Sequence, residues 1–161
     1  MTVRVQREDF DVGAELAALS DDNHSIGGLC NFVGLVRDMN DGDDISTLTL
    51  EHYPGMTEKM LVEIEAEANR RWPLQSTLII HRYGRMEPGE RIVLVAATSP
   101  HRDAAFEACR FLIDWLKTRA PFWKAEDTDT GEKWVDARES DNVAAKRWGA
   151  PGSQSNEDTN G

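Results

Sequence analysis

The chain has 161 residues, 40% of them hydrophobic, and a formal net charge of −11. That length suits one ordinary domain of ~100–150 residues with a real core, and the negative charge weighs against nucleic-acid binding through phosphates. Residues 1–10 lack the apolar stretch of a secretory signal, no apolar run reaches the ~20 residues of a membrane helix, and two cysteines are too few for a disulfide framework. A soluble, cytoplasmic protein without a membrane partner is expected.

Val3 to Val5 reads as a short strand and Val12 to Leu19 as a short helix carrying Leu16 and Leu19. Ile26 to Val36 is an apolar run containing Gly27, Gly28 and Gly34, which predicts a buried strand with bulges or close backbone approaches. Arg37 to Asp44 follows as a polar loop. Ser46 to Tyr53 alternates, with Leu48, Leu50 and His52 on one face, and so reads as a half-buried strand. Pro54 and Gly55 break it. Thr57 is placed to cap a helix reaching Arg71, with Met60, Leu61, Ile64 and Ala68 as its apolar stripe; Trp72-Pro73 ends that helix.

Two more strands, Thr77 to Arg82 and Arg91 to Thr98, flank a turn at Glu87-Pro88-Gly89-Glu90. A second long helix is expected from Arg102 to Arg119, with Phe106, Cys109, Ile113 and Leu116 inward and Pro121 as its stop. The remaining expectations are a hairpin around Asp129-Thr130-Gly131, a strand at Lys133 to Ala137 and a short helix from Ser140 to Trp148. Residues 149–161 are Gly, Ser, Asn and Asp without an apolar pattern, which predicts a disordered tail behind a domain spanning 1–148. Strand runs broken by two long helices indicate an α+β domain with mixed or antiparallel pairing.

Charge is unevenly spread. From His101 to Lys124 there are five basic residues (Arg102, Arg110, Lys117, Arg119, Lys124) against three acidic, a basic island in an acidic chain. Such an island is either a site for a small anion or anionic peptide end, or a solvated helix face. At its start, Ser99-Pro100-His101-Arg102 stands at a helix mouth, where unpaired N–H groups and the dipole favour phosphate or carboxylate; Ser99 as a plain cap is the other reading. At its end, Lys117 and Arg119 suit a last helical turn, whereas Lys124 lies past Pro121 beside Phe122 and Trp123. Crowded, partly desolvated lysines make proton carriers or nucleophiles. No nucleophile elbow, phosphate loop or dinucleotide fingerprint is present, and His24, His52, His81 and His101 lack metal-ligand spacing. Neither a metal nor a cofactor is expected. Cys30 and Cys109 read as small buried hydrophobes.

Four segments, Leu50-Glu51-His52-Tyr53-Pro54-Gly55-Met56, Ser99-Pro100-His101-Arg102, Lys117-Thr118-Arg119-Ala120-Pro121-Phe122-Trp123-Lys124 and Trp134-Val135-Asp136-Ala137-Arg138, resemble in order and spacing the large, catalytic subunit of molybdopterin synthases. The likeness runs from about Ile26 to Trp148. It implies an α/β hammerhead-like domain with an additional small antiparallel β subdomain. It also implies a reaction: cyclic pyranopterin monophosphate becomes molybdopterin, the two dithiolene sulfurs coming from the C-terminal thiocarboxylate of a small ubiquitin-like sulfur-carrier subunit. The implied assembly is a heterotetramer around a homodimer of large subunits.

By the same resemblance Lys117 is the principal catalytic residue, with Lys124 beside it. Substrate contacts are implied for Leu35, Val36, Arg37, His101, Arg102, Lys117, Lys124, Ala125 and Glu126, and for Arg138 reaching from the neighbouring protomer. Leu35 stands where relatives often carry a basic residue. Two rivals are a non-enzymatic adaptor for a ubiquitin-like Gly-Gly tail and an unrelated phosphate-handling transferase. The lysine pair favours the catalyst, since docking alone does not require both.

Overall fold

Two sheets share one core in the computed structural model, which describes residues 1–40, 43–128, 131–135 and 146–149. The elements, in order, are Thr2–Gln6 (β1), Val12–Ser20 (α1), Gly28–Leu35 (β2), Met39–Asn40 (β3), Asp43–His52 (β4), Met56–Arg71 (α2), Ser76–Arg82 (β5), Gly84–Met86 (β6), Arg91–Ser99 (β7), Arg102–Arg119 (α3), Phe122–Thr128 (β8) and Gly131–Val135 (β9). The first sheet has the order β1-β5-β7-β2, with β1 parallel to β5 and the other pairs antiparallel. The second joins β3, β4, β8 and β9, with β6 on β4. The α+β expectation, a helix-covered sheet plus an antiparallel addition, holds.

Side-chain alternation in β5 and β7 divides the core. Leu78, Ile80, Leu94 and Ala96 meet α1, packing with Phe10, Leu16 and Leu19. Ile79, Val93 and Val95 face the other way and pack with α2, α3 and Leu48, Leu50 and Met86 of the second sheet. Burying a residue such as Leu61 or Phe111 completely contributes about 1.5–3 kcal/mol each, so this larger cluster holds the two sheets together.

The apolar run at Ile26 to Val36 is not a buried strand but an edge: β2 pairs only with β7 among the described residues, and Phe32 and Leu35 are exposed. Periodicity cannot tell which face of a strand will be covered. Its glycines do mark close approaches. A Cβ on Gly27 would lie 2.0 Å from the Pro100 carbonyl oxygen, one on Gly34 2.8 Å from Val93 Cγ1, and the register shifts between Gly34 and Leu35.

Four further expectations change. The polar stretch after Arg37 is a β3–β4 pairing, so the strand read from Ser46 begins at Asp43. Helix α2 starts behind Gly55, whose N–H is taken by Glu58 Oε2 at 2.7 Å; Thr57 is no cap but fully buried. Short β6 carries no pattern long enough to read. On α3 the buried face is Ala104, Ala105, Ala108, Cys109, Phe111, Leu112, Trp115 and Leu116, while Phe106 is 62% exposed. Three alanines let the helix sit close on the sheet, which turns Phe106 outward. Cys109 is buried as expected and Cys30 partly so. Strand β9 answers to the expected hairpin and second strand. The helix read from Ser140 and the tail fall mostly outside the described residues. No helix among the described residues is long and apolar enough to cross a membrane.

Strand register fixes the two ends of the first sheet. Leu35 pairs with Arg91 and His81 with Val93 at one end, Gly28 with Ser99 at the other. Helix α3 starts beside Gly28, where Arg102 Cα is 3.2 Å from a Cβ built there, passes Val95 at Cys109 and finishes over the His81 end.

Candidate active site

Lys117 sits in the last turn of α3 and Lys124 on β8, joined by a short connector through Pro121. The connector is held by the core. The Thr57 hydroxyl accepts the Tyr53 N–H at 3.0 Å and donates to the Pro121 carbonyl at 3.1 Å, tying the end of β4 to the joint. The Ala120 N–H closes the helix onto Leu116 O. Both lysines are half-buried. Lys124 pairs across the sheet with Leu50, so by alternation it projects from the core-facing side, as Phe122 and Glu126 do.

Under this joint lies His81. Its ring stacks on Phe122 at 3.7 Å between centroids and 17° between planes, and its Nδ1–H donates to Arg82 O at 2.8 Å. Burial pushes its pKa down to about 3, reinforced by the charges of Lys117, Lys124 and His52. Lys117 in the last turn of α3 and Lys124 on the next element, β8, therefore both lie near enough to the neutral imidazole to bear on its charge. The His52 ring lies tilted against Tyr83 nearby (4.2 Å between centroids, 39° between planes), with Glu58 3.7 Å from its Nε2. Arg119, by contrast, lies over the Trp115 ring at 3.8 Å and serves packing.

The helix mouth is at the other end. His101 is the capping residue of α3, and its N–H is taken by Ser99 Oγ (3.1 Å), which donates in turn to Pro73 O (2.8 Å). Ser99 is thus buried scaffolding, while His101 and Arg102 are exposed. Fifteen residues separate Arg102 from Lys117 on one helix, roughly 22 Å at 1.5 Å per residue. The basic island is two clusters, not one.

Arg37 and exposed Leu35 lie at the lysine end of the sheet, with Val36 buried and bonded to Glu90 O and Gly89 N–H. Ala125 and Glu126 are buried in β8, Ala125 on the face opposite Lys124. Arg138 falls outside the described residues. His81 and Phe122 were not singled out from sequence, although alternation from Ile79 already puts His81 inward. Two half-buried amines near a buried neutral imidazole can hold a carboxylate-like group and stabilise an oxyanion formed on it.

The chain matches the family described as MoaE protein over residues 5–119. It is similar to a molybdopterin synthase catalytic subunit of Pseudomonas aeruginosa, with 58% identity over 148 residues, 92% of this chain and 99% of the relative. Among solved structures, a molybdopterin biosynthesis MoaE protein from Burkholderia ambifaria MC40-6 is 53% identical with a TM-score of 0.79, covering 92% of this chain and 98% of that one. A molybdopterin synthase from Staphylococcus aureus is 32% identical with a TM-score of 0.76, covering 83% and 96%.

Proposed function

The chain belongs to the MoaE protein family, and from that premise we propose that it is the catalytic subunit of a molybdopterin synthase. It is a sulfurtransferase: it converts cyclic pyranopterin monophosphate to molybdopterin with sulfur delivered on the thiocarboxylate tail of a small ubiquitin-like partner. The observation that carries this reading is the pair of half-buried lysines on either side of one connector, Lys117 in the last turn of α3 and Lys124 on β8, with that connector held by Thr57 and by the His81–Phe122 stack. Two half-buried cations flanking one joint suit an anionic thiocarboxylate and the oxyanion that develops when its acyl carbon is attacked. Lys117 is the principal catalytic group and Lys124 its companion on the pterin side. The reaction belongs in the cytoplasm.

His101 and Arg102 stand too far from Lys117 for a single pyranopterin monophosphate to touch both ends of one α3. If both clusters serve one substrate, they come from different protomers. A two-fold homodimer with its α3 helices antiparallel meets that requirement, bringing Arg102 of one copy toward Lys117 of the other. Exposed Phe106 and Phe32, on α3 and the neighbouring edge strand, give such a contact apolar area. Arg37 and Arg138 are assigned to the same shared site.

Reconstitution tests the function. Purified chain, pyranopterin and thiocarboxylated partner together should form the dithiolene product, and omission of the partner should abolish it. Product formed at equal rate without the partner overturns the sulfur-carrier reading.

A further inference from the structure

Among the described residues, His81 is a buried titratable side chain that touches the joint between the two lysines. Its ring packs flat on Phe122, the first residue of β8, and its Nδ1–H is committed to the Arg82 carbonyl. That bond fixes the tautomer, because a carbonyl only accepts, and it leaves Nε2 with a lone pair. Phe122 is two residues before Lys124 on the same face of β8 and five after Lys117. The Thr57–Pro121 bond holds the connector from the α2 side; the His81–Phe122 stack holds it from the β5 side.

We propose that His81 is a positioning residue for Lys117 and Lys124: its ring seats the α3–β8 joint through Phe122, and its Nε2 lone pair is an acceptor for the lysine pocket. This rests on the reading that the two lysines carry the chemistry. Burial and the two neighbouring ammonium charges keep the ring unprotonated across the physiological range, so it adds a dipole to the pocket and no third cation. A carboxylate there would pair with the lysines and a cation would repel them. A buried neutral imidazole adds neither charge to the pocket.

The test uses the complete synthase with its thiocarboxylated partner. His81→Phe keeps a stacking ring and removes both nitrogens; His81→Gln places an amide oxygen near the position of Nε2 without the ring. His81→Phe should retain the wild-type melting temperature, partner affinity and KM for pyranopterin while kcat falls about tenfold or more, the scale of a displaced catalytic amine. His81→Gln should recover part of that kcat. Wild-type kcat in His81→Phe overturns the inference. So does a loss spread equally over kcat, KM and melting temperature in both variants, which marks a purely structural residue. Should His81→Phe fail to fold, His81→Gln decides alone: lowered kcat at unchanged KM supports the inference, and unchanged kcat overturns it. Lys117→Arg in the same assay separates the two levels. A fully active Lys117→Arg shows that position 117 supplies charge alone and so removes the positioned amine on which the inference rests, whereas an inactive one beside a fully active His81→Phe removes only the role of His81.

Discussion

The two ends of α3 carry cations in opposite settings. At the C-terminal end, Lys117 and Lys124 are half-buried, carried on a joint pinned by Thr57 and Phe122, over an imidazole that burial keeps neutral. At the N-terminal end, His101 and Arg102 are exposed, and the buried group, Ser99, is spent on the His101 N–H and the Pro73 carbonyl. Partly desolvated, fixed amines are suited to chemistry; exposed charges at a helix mouth are suited to holding an anion. On the proposed function one stretch of basic residues supplies two roles, and helix length keeps them apart within a protomer.

The largest effect is expected at the lysine end. Lys117→Arg keeps a cation but replaces a titratable amine with a group that stays protonated, so turnover should fall by about a hundredfold or more while partner binding survives. Stopped assays for product, with partner affinity measured alongside, check this; rates near wild type would mean that charge alone suffices there. At the other end, Arg102→Ala should raise KM for pyranopterin roughly tenfold, the loss of one charge-assisted bond, with little change in kcat or folding. A well-folded Arg102→Ala with unaltered KM removes the anion site from that end.

The smallest effect is thermodynamic. The folded pKa of His81, about 3, lies below its unfolded value of 6.5, so the unfolded chain binds the extra proton between them. Stability therefore falls as pH drops from 6.5 toward 3, by at most roughly 1.4 kcal/mol per pH unit, and this contribution is absent above 6.5. Glu65 works in the other direction, since burial raises its pKa and stability is lost as pH rises through it. Denaturant unfolding at about pH 7.5 and about pH 5.5 should show a smaller difference in His81→Phe than in the wild type. Equal differences in the two proteins would contradict a buried neutral histidine.

Much of this fold was legible because period-2 and period-3.6 patterns survive in the long elements. Alternation located most of β4, the segments flanking the Glu87–Glu90 turn were read as β5 and β7, and Pro121 marked the end of α3. Two of the failures share a cause: apolar character was taken as burial. Phe106 is more apolar than Ala104, Ala105 or Ala108, yet the alanines are buried because small side chains let a helix approach a sheet. The run ending at Leu35 is apolar, yet it is a sheet edge. Both lysines could be named from the local motif, and only the resemblance set them side by side, because the path of β8 back along β4 is not written in the local pattern. Thr57 looked like a cap from its neighbours; its partner Pro121 is 64 residues away. The 22 Å separation of the two basic clusters followed from helix length alone, and the contiguous motif concealed it.

The claim that the two ends of α3 work together only across a dimer has one direct test. Lys117→Ala and Arg102→Ala are each prepared as pure homodimers, then combined by co-expression, with mixed dimers verified by mass. Each parent should be severely impaired under subsaturating pyranopterin. In a mixed dimer one site has lost both residues, and the other joins an intact Lys117 to an intact Arg102, so with random pairing roughly a quarter of all sites should regain wild-type kcat/KM. Recovery to that level is the result predicted. Activity that stays at the average of the two parents, despite verified mixed dimers, would place both residues within one protomer's site and contradict the shared arrangement.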